Sequence, residues 1–225
     1  MSQDKQIQET NKKLENVEAA VSGAEQFFEK HVKTIVSVAS AILAVIVIIV
    51  VANSFYVNPL KAEAQREIFN AQYYLEADSF RLALEGDGVN AGFAQIADDY
   101  SSTPAGKLAN YYAGVCNLRL GRYQEAIRYF KSYSSDDETI STFAEGLIGD
   151  AESELGNDKA AISAYKKAAN KKNLVASPIF LLKLGKLYLR NGQKEEAVAA
   201  FTEIKDNYPT NQLSRDVEKY ISAAQ

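Results

Sequence analysis

Four residues return in register three times in the second half of the chain: Gly114, Gly121, Ala126 and Phe130; Gly149, Gly156, Ala161 and Tyr165; Gly185, Gly192, Ala197 and Phe201. Successive copies are offset by 35 and then 36 residues. Self-similarity at such a period belongs to supersecondary units that stack in a row. In each copy the first glycine lies in a helix-forming stretch and the second, seven residues on, falls in a turn. The alanine and the aromatic, four residues apart, share one face of the helix that follows. Each copy therefore reads as a helix hairpin. The first glycine lets a neighbour approach, and the turn glycine supplies a positive φ. The alanine marks a close crossing, and the aromatic fills the hairpin interior. A single hairpin cannot bury its apolar face alone, so the units must stack.

A degenerate fourth copy precedes these, visible where Phe93-Ala94-Gln95-Ile96-Ala97-Asp98-Asp99-Tyr100 parallels Phe201-Thr202-Glu203-Ile204-Lys205-Asp206-Asn207-Tyr208. Its first helix is expected from Lys61 to about Leu84, followed by the loop Glu85-Gly86-Asp87-Gly88. At the other end, Leu213, Val217, Tyr220 and Ile221 fall on one face of a helix expected from Asn211 to Ala224, as a terminal cap requires. Four prolines, no tryptophan and thirteen tyrosines suit an all-α chain in which aromatics fill the gaps between helices.

The segment Ile35 to Ala52 carries no charge and only two serines, Ser37 and Ser40, and the uncharged window extends from Thr34 to Leu60. Eighteen to twenty-two helical residues at about 1.5 Å each cross the roughly 30 Å hydrocarbon layer of a bilayer. In lipid a helix satisfies its own backbone polar groups, which an isolated strand cannot do. A cleaved secretory signal is the competing reading, but 33 residues precede the uncharged window that opens at Thr34 and its apolar part is too long. Lys30, His31 and Lys33, with Lys12 and Lys13 behind them, face Lys61 and Arg66 across the span, and that bias keeps the N-terminus in the cytoplasm. The expected organisation is a cytoplasmic amphipathic tail at 1–33, a transmembrane helix and its flanks at 34–60, and a repeat domain at 61–225. Within the last, the degenerate copy takes about 61–104, the repeats 107–140, 142–176 and 178–210, and the cap 211–225. In the tail, Ile7, Leu14, Val17, Val21, Ala24 and Phe28 keep helical spacing, which suits a short coiled coil or a helix lying against a membrane partner.

The inventory for catalysis is thin. One cysteine, Cys116, forms no internal disulfide and no cysteine-rich zinc site, and one histidine, His31, leaves little histidine chemistry. There is no phosphate loop, no dinucleotide fingerprint and no nucleophile elbow. Asp87 sits in an Asp-x-Gly turn that lacks the other ligands of a calcium loop, so no metal and no cofactor are expected. A net charge of −4 gives no reason to expect nucleic acid. An enzyme would have to rest on Glu145, Asp150, Glu152 and Glu154, whose default role is surface charge. The lysines Lys166, Lys167, Lys171 and Lys172 form a basic helix end.

The glycine, alanine and aromatic positions resemble the tetratricopeptide repeat, with Tyr123, Ala168, Tyr188 and Pro209 matching further positions of its signature. Asn117 and Glu152 stand where the first helix of that repeat has tyrosine, and Asp158 and Lys194 where its turn has tyrosine. The resemblance implies an all-α fold: a tetratricopeptide-type α-solenoid with a C-terminal capping helix, behind the single transmembrane helix. It also implies a concave wall lined by first-helix residues. Carried over position by position, that wall holds Tyr111, Val115 and Arg119, then Asp150 and Glu154, then Leu182, Lys186 and Arg190, a mixture suited to a peptide or protein segment.

The whole layout resembles the YfgM-like family of ancillary subunits of the bacterial Sec translocon. The stretches that carry this are Gly92-Phe93, Ile96, Tyr100, Thr103-Pro104-Ala105-Gly106, Leu108-Ala109, Tyr112-Ala113-Gly114 and Ser177-Pro178. This resemblance implies a bacterial inner-membrane protein with periplasmic repeats that associates with the SecYEG channel and a PpiD-like membrane-anchored chaperone. Its expected function is a non-enzymatic adaptor for exported proteins. A second expectation is a cell-envelope coordinator like the repeat proteins tied to Tol–Pal and cell-wall synthesis. Those carry their coiled coil outside the membrane, whereas here the heptads precede the span.

Overall fold

A computed structural model describes residues 30–224, and these divide into two compact units that meet between Asn58 and Pro59. The amphipathic stretch expected over Ile7 to Phe28 lies outside the described residues. In the first unit, helix α1 covers residues 30–52. Val36, Ile42, Leu43, Ile46, Ile48 and Val50 are each more than half exposed, so nothing among the described residues covers this apolar helix. It is long and apolar enough to cross a membrane. A π-helical turn follows at Asn53–Val57, where the Asn58 N–H donates to the Asn53 carbonyl. Pro59 explains its position: the ring has no N–H to offer the Phe55 carbonyl four residues back and would clash with it in a regular helix.

The second unit is all-helical: α2 (Asn58–Glu76), α3 (Phe80–Glu85), α4 (Phe93–Asp99), α5 (Pro104–Arg119), α6 (Tyr123–Ser132), α7 (Glu138–Glu154), α8 (Asp158–Asn170), α9 (Ser177–Arg190), α10 (Lys194–Asn207), α11 (Gln212–Asp216) and α12 (Glu218–Ala224). The pairs α5/α6, α7/α8 and α9/α10 are the three hairpins read from the repeat; α6 and α8 also pack on the first helix of the next pair, and α10 packs on the cap. Two expected elements are shorter than the sequence suggested. The helix expected from Lys61 to about Leu84 breaks after Glu76, where Asp78 adopts φ 53° and Ser79 restarts the chain into α3. The capping helix is two helices hinged at Val217, which is fully buried, with Leu213, Tyr220 and Ile221 packed on the same core.

The glycine-to-aromatic spacing has a direct steric cause. A Cβ on Gly114 would sit 2.6 Å from the ring of Phe130, one on Gly149 2.6 Å from Tyr165, and one on Gly185 2.3 Å from Phe201. In every hairpin the first helix therefore offers bare backbone to the ring of the second, while Ala126, Ala161 and Ala197 are fully buried at the crossing. The turn glycines do different work. Gly121, Gly156 and Gly192 have φ of 72°, 75° and 73°, with open space where a side chain would project. In each, the following N–H returns to the helix, Arg122 to Asn117, Asn157 to Glu152 and Gln193 to Tyr188, all at 2.9 Å. These bonds close a Schellman cap, which needs a left-handed residue. Gly156→Ala should therefore cost about 1 kcal/mol, from backbone strain alone, read as a shift in denaturant midpoint.

Helix starts are fixed by side chains that take up orphan backbone donors. Thr103 Oγ1 accepts from the Gly106 N–H at 3.0 Å, and Asp137 Oδ1 accepts from the Ile140 N–H at 2.9 Å. A further glycine, Gly146, lies outside the repeated pattern and backs onto the ring of Phe180 in the next hairpin.

Candidate functional site

The first helices α5, α7 and α9 line up side by side, and along them runs a half-open cleft of about 860 Å³. Its apolar wall comes from Tyr111, Val115 and Leu118 on α5, Phe143 and Leu147 on α7, and Leu187 on α9. Those positions recur every three or four residues, so each helix turns one stripe toward the opening. Tyr111 is wedged among aromatic neighbours, 5.5 Å from Tyr112, 6.0 Å from Phe130 and 5.9 Å from Tyr133, and burial pushes its hydroxyl pKa up to about 12.

The charged groups come from different hairpins and bind across the seams. Lys183 of α9 pairs with Asp150 of α7, and the Tyr165 hydroxyl of α8 donates to the same carboxylate at 2.8 Å. Burial first, and then the Asp150 charge, raises the Tyr165 hydroxyl pKa well above the ordinary phenol value, so it remains a donor. Arg190 pairs with Asp158 and donates to Ser153 Oγ at 3.2 Å. The Tyr123 hydroxyl donates to Glu154 at 3.4 Å. Arg119 lies 5.9 Å over the Phe80 ring and Lys186 5.0 Å over Tyr220, and neither is ion-paired among the described residues. The cleft thus joins an apolar wall to four cations, Arg119, Lys183, Lys186 and Arg190, against the carboxylates of Asp150 and Glu154. Such a surface offers apolar contact and charge-assisted hydrogen bonds side by side. Asp150→Asn and Lys183→Met, combined in a double-mutant cycle on unfolding, should show a coupling of about 1 kcal/mol.

Of the eight residues predicted for the wall, Tyr111, Val115, Arg119, Asp150, Glu154, Lys186 and Arg190 lie together on this cleft. Leu182 does not. It packs against the C-terminal core, because the last first-helix is flanked by the cap and not by another hairpin. The sequence reading missed Leu118, Tyr123, Phe143, Leu147, Ser153, Tyr165, Lys183 and Leu187. Phe143 and Leu147 stand seven and three residues before Asp150, on the same helical face, and that spacing was a usable signal.

Other groups singled out by type serve the fold. Asp87 accepts from the backbone of Asn90 and Val89 and from the Tyr74 hydroxyl, which together hold its carboxyl far below the usual range. Glu152 accepts from Asn157 Nδ2 at 2.9 Å and ties down the α7–α8 turn. Cys116 is fully buried, and burial pushes its thiol up to about 12. Iodoacetamide at neutral pH should therefore label it only as fast as the unit unfolds, in a mass-spectrometric time course with and without denaturant.

Comparison with known proteins agrees with this geometry. Tetratricopeptide repeat models match residues 91–137, 146–170 and 180–211. A TPR repeat-containing protein of Methanocaldococcus jannaschii is 30% identical over 154 residues, which is 67% of this chain and 24% of that protein. The chain thus spans about a quarter of the length of the curated relative it matches. Among solved structures, the nearly identical TPR-like repeats of a Podosopora anserina kinesin light chain superpose with a TM-score of 0.57 at 13% identity, over 73% of this chain and 86% of that one. The MamA protein gives a TM-score of 0.52 at 18% identity, over 72% and 89%. At these identities the structures speak for the fold alone. The hairpins between residues 91 and 211 are tetratricopeptide repeats, and the chain is a tetratricopeptide repeat protein with one long apolar helix before its repeats.

Proposed function

We propose that this protein is a non-enzymatic, membrane-anchored adaptor whose repeats grip a polypeptide segment in the cleft between α5, α7 and α9. The observation that carries this reading is the cleft itself: an apolar wall rimmed by Arg119, Lys186 and Arg190, on a repeat scaffold of a kind that binds proteins. The uncovered apolar helix over residues 30–52 supports an anchor. The basic residues before it support a cytoplasmic N-terminus, with the repeats on the opposite, periplasmic side of a bacterial inner membrane. Anchoring raises the local concentration of the cleft beside any complex in the same bilayer, so weak contacts suffice.

The finer reading places the adaptor at the SecYEG translocon beside a PpiD-like membrane-anchored chaperone, where it handles exported chains as they emerge. The whole-chain layout and the stretches from Gly92 to Gly114 and at Ser177-Pro178 support this. Affinity purification of the full chain from detergent-solubilised membranes tests it. Translocon and chaperone subunits are expected with the native chain and depleted with the pair Arg119→Glu and Lys186→Glu. Purification that returns neither component, or recovery indifferent to that charge reversal, contradicts the assignment.

A further inference from the structure

In the repeat unit, taken by itself, every connection from a second helix to the next first helix falls on one edge. That edge is also where the chain enters the unit. Burial and the neighbouring carboxylates of Glu63 and Glu67, near the start of α2, raise the hydroxyl pKa of Tyr100 in the α4–α5 connection, so the start of α2 is level with that connection. The far end of α2 is level with the opposite edge: Asn70 Nδ2 donates to Asn90 Oδ1 at 3.0 Å and the Tyr74 hydroxyl donates to Asp87 at 2.7 Å. The entry edge continues through Pro104 and Lys107, which share a hollow with Tyr133 to Ile140, and through Asn173 Nδ2, which donates to Thr139 Oγ1 at 3.0 Å.

On this edge the α8–α9 connection has an unusual surface. Leu174 is 74% exposed and Val175 59%, side by side. Their backbone is not slack. Asn173 Oδ1 accepts from the N–H groups of Val175 and Ala176 at 3.0 and 2.9 Å, the Asn173 N–H donates to Ser177 Oγ at 3.0 Å, and Ser177 Oγ donates to the Ala168 carbonyl at 2.8 Å. Two apolar side chains are thus held in water by a fully bonded loop, whereas the very next residue, Ala176, is wholly buried. Lys171 and Lys172 stand just before them in the same connection, and Lys167 lies in the last turn of α8 that leads into it. Lys166 lies 5.7 Å over the Tyr188 ring, and none of the four has an acidic partner among the described residues.

We infer that the α8–α9 loop rests on an anionic lipid surface, with Leu174 and Val175 entering the headgroup boundary and Lys167, Lys171 and Lys172 meeting lipid phosphates. Exposed apolar side chains that follow directly on lysines match a bilayer interface in chemistry. A second attachment of this kind would hold the entry edge toward the lipid and limit the tilt of the unit. The inference rests on the anchoring proposed above.

The test uses the full chain with Cys116→Ala, carrying a single polarity-sensitive nitrobenzoxadiazole probe at Leu174→Cys or, on the opposite edge, at Asn157→Cys. Each is reconstituted into vesicles of phosphatidylcholine alone or of phosphatidylcholine with phosphatidylglycerol. The Leu174→Cys probe should shift to the blue and brighten in the anionic vesicles, and the Asn157→Cys probe should stay in water. Each of Lys167→Gln, Lys171→Gln and Lys172→Gln should lower the ratio of lipid-bound to free loop by roughly fivefold, and molar salt should do the same by screening. A chain that floats with both kinds of vesicle while the Leu174→Cys probe reads water in both overturns the loop proposal alone. So does protection of the probe only on addition of an acidic protein. A chain stripped from vesicles by alkaline carbonate overturns the anchoring and the loop proposal with it.

Discussion

Phe201→Ala should lower the unfolding free energy of the repeat unit by about 3–5 kcal/mol, measured by denaturant titration followed by helical circular dichroism. Phe201 is fully buried, sits against bare backbone at Gly185, and stacks on Tyr220 of the cap at 5.4 Å. Truncation therefore opens a void with contributions from the first helix, the second helix and the cap, and rigid backbone on one side cannot relax into it. The complementary change, Gly185→Val, drives a branched side chain into the same ring and should cost about 3 kcal/mol by overpacking. An effect below about 1 kcal/mol for Phe201→Ala would mean that the ring is not the keystone of its hairpin.

Leu43→Arg combined with Val47→Arg should release the chain from membranes. Both residues lie in the middle of the apolar helix and on one face, and each arginine near a bilayer centre costs about 2.5–3.5 kcal/mol of insertion free energy. Together they outweigh the marginal gain from the remaining aliphatic residues, so the fraction resisting carbonate extraction should fall to near background. Retention of the doubly substituted chain would contradict a single spanning helix.

The hairpins were legible because their strongest constraint is periodic: the glycine that receives a ring and the turn glycine with positive φ each recur in all three copies. What escaped the sequence reading is what breaks the period or spans its seams. Gly146 occupies the position of Tyr111 and Leu182 in its neighbours, yet it backs onto Phe180 of the next hairpin, so that position lines the cleft in one copy and is structural in the others. Lys183 enters the cleft through Asp150, a partner 33 residues away in another hairpin, which no spacing within one repeat reveals. The break after Glu76 escaped for a local reason. Glu76, Ala77 and Leu82 favour helix, and the left-handed Asp78 is stabilised by its return bond to the Leu75 carbonyl at 3.0 Å, with Ser79 N–H returning to Tyr74 at 2.9 Å.

The central claim is that the wall formed by α5, α7 and α9 meets a polypeptide while the chain is anchored in its membrane. Photo-crosslinking amino acids placed singly at Tyr111 and Lys186 on the cleft, and at Ser163 on the exposed side of α8, test it in intact cells. The account predicts covalent adducts to translocon, chaperone or exported chains from Tyr111 and Lys186 and none from Ser163. Equal adducts from all three sites, or adducts from Ser163 alone, would contradict it.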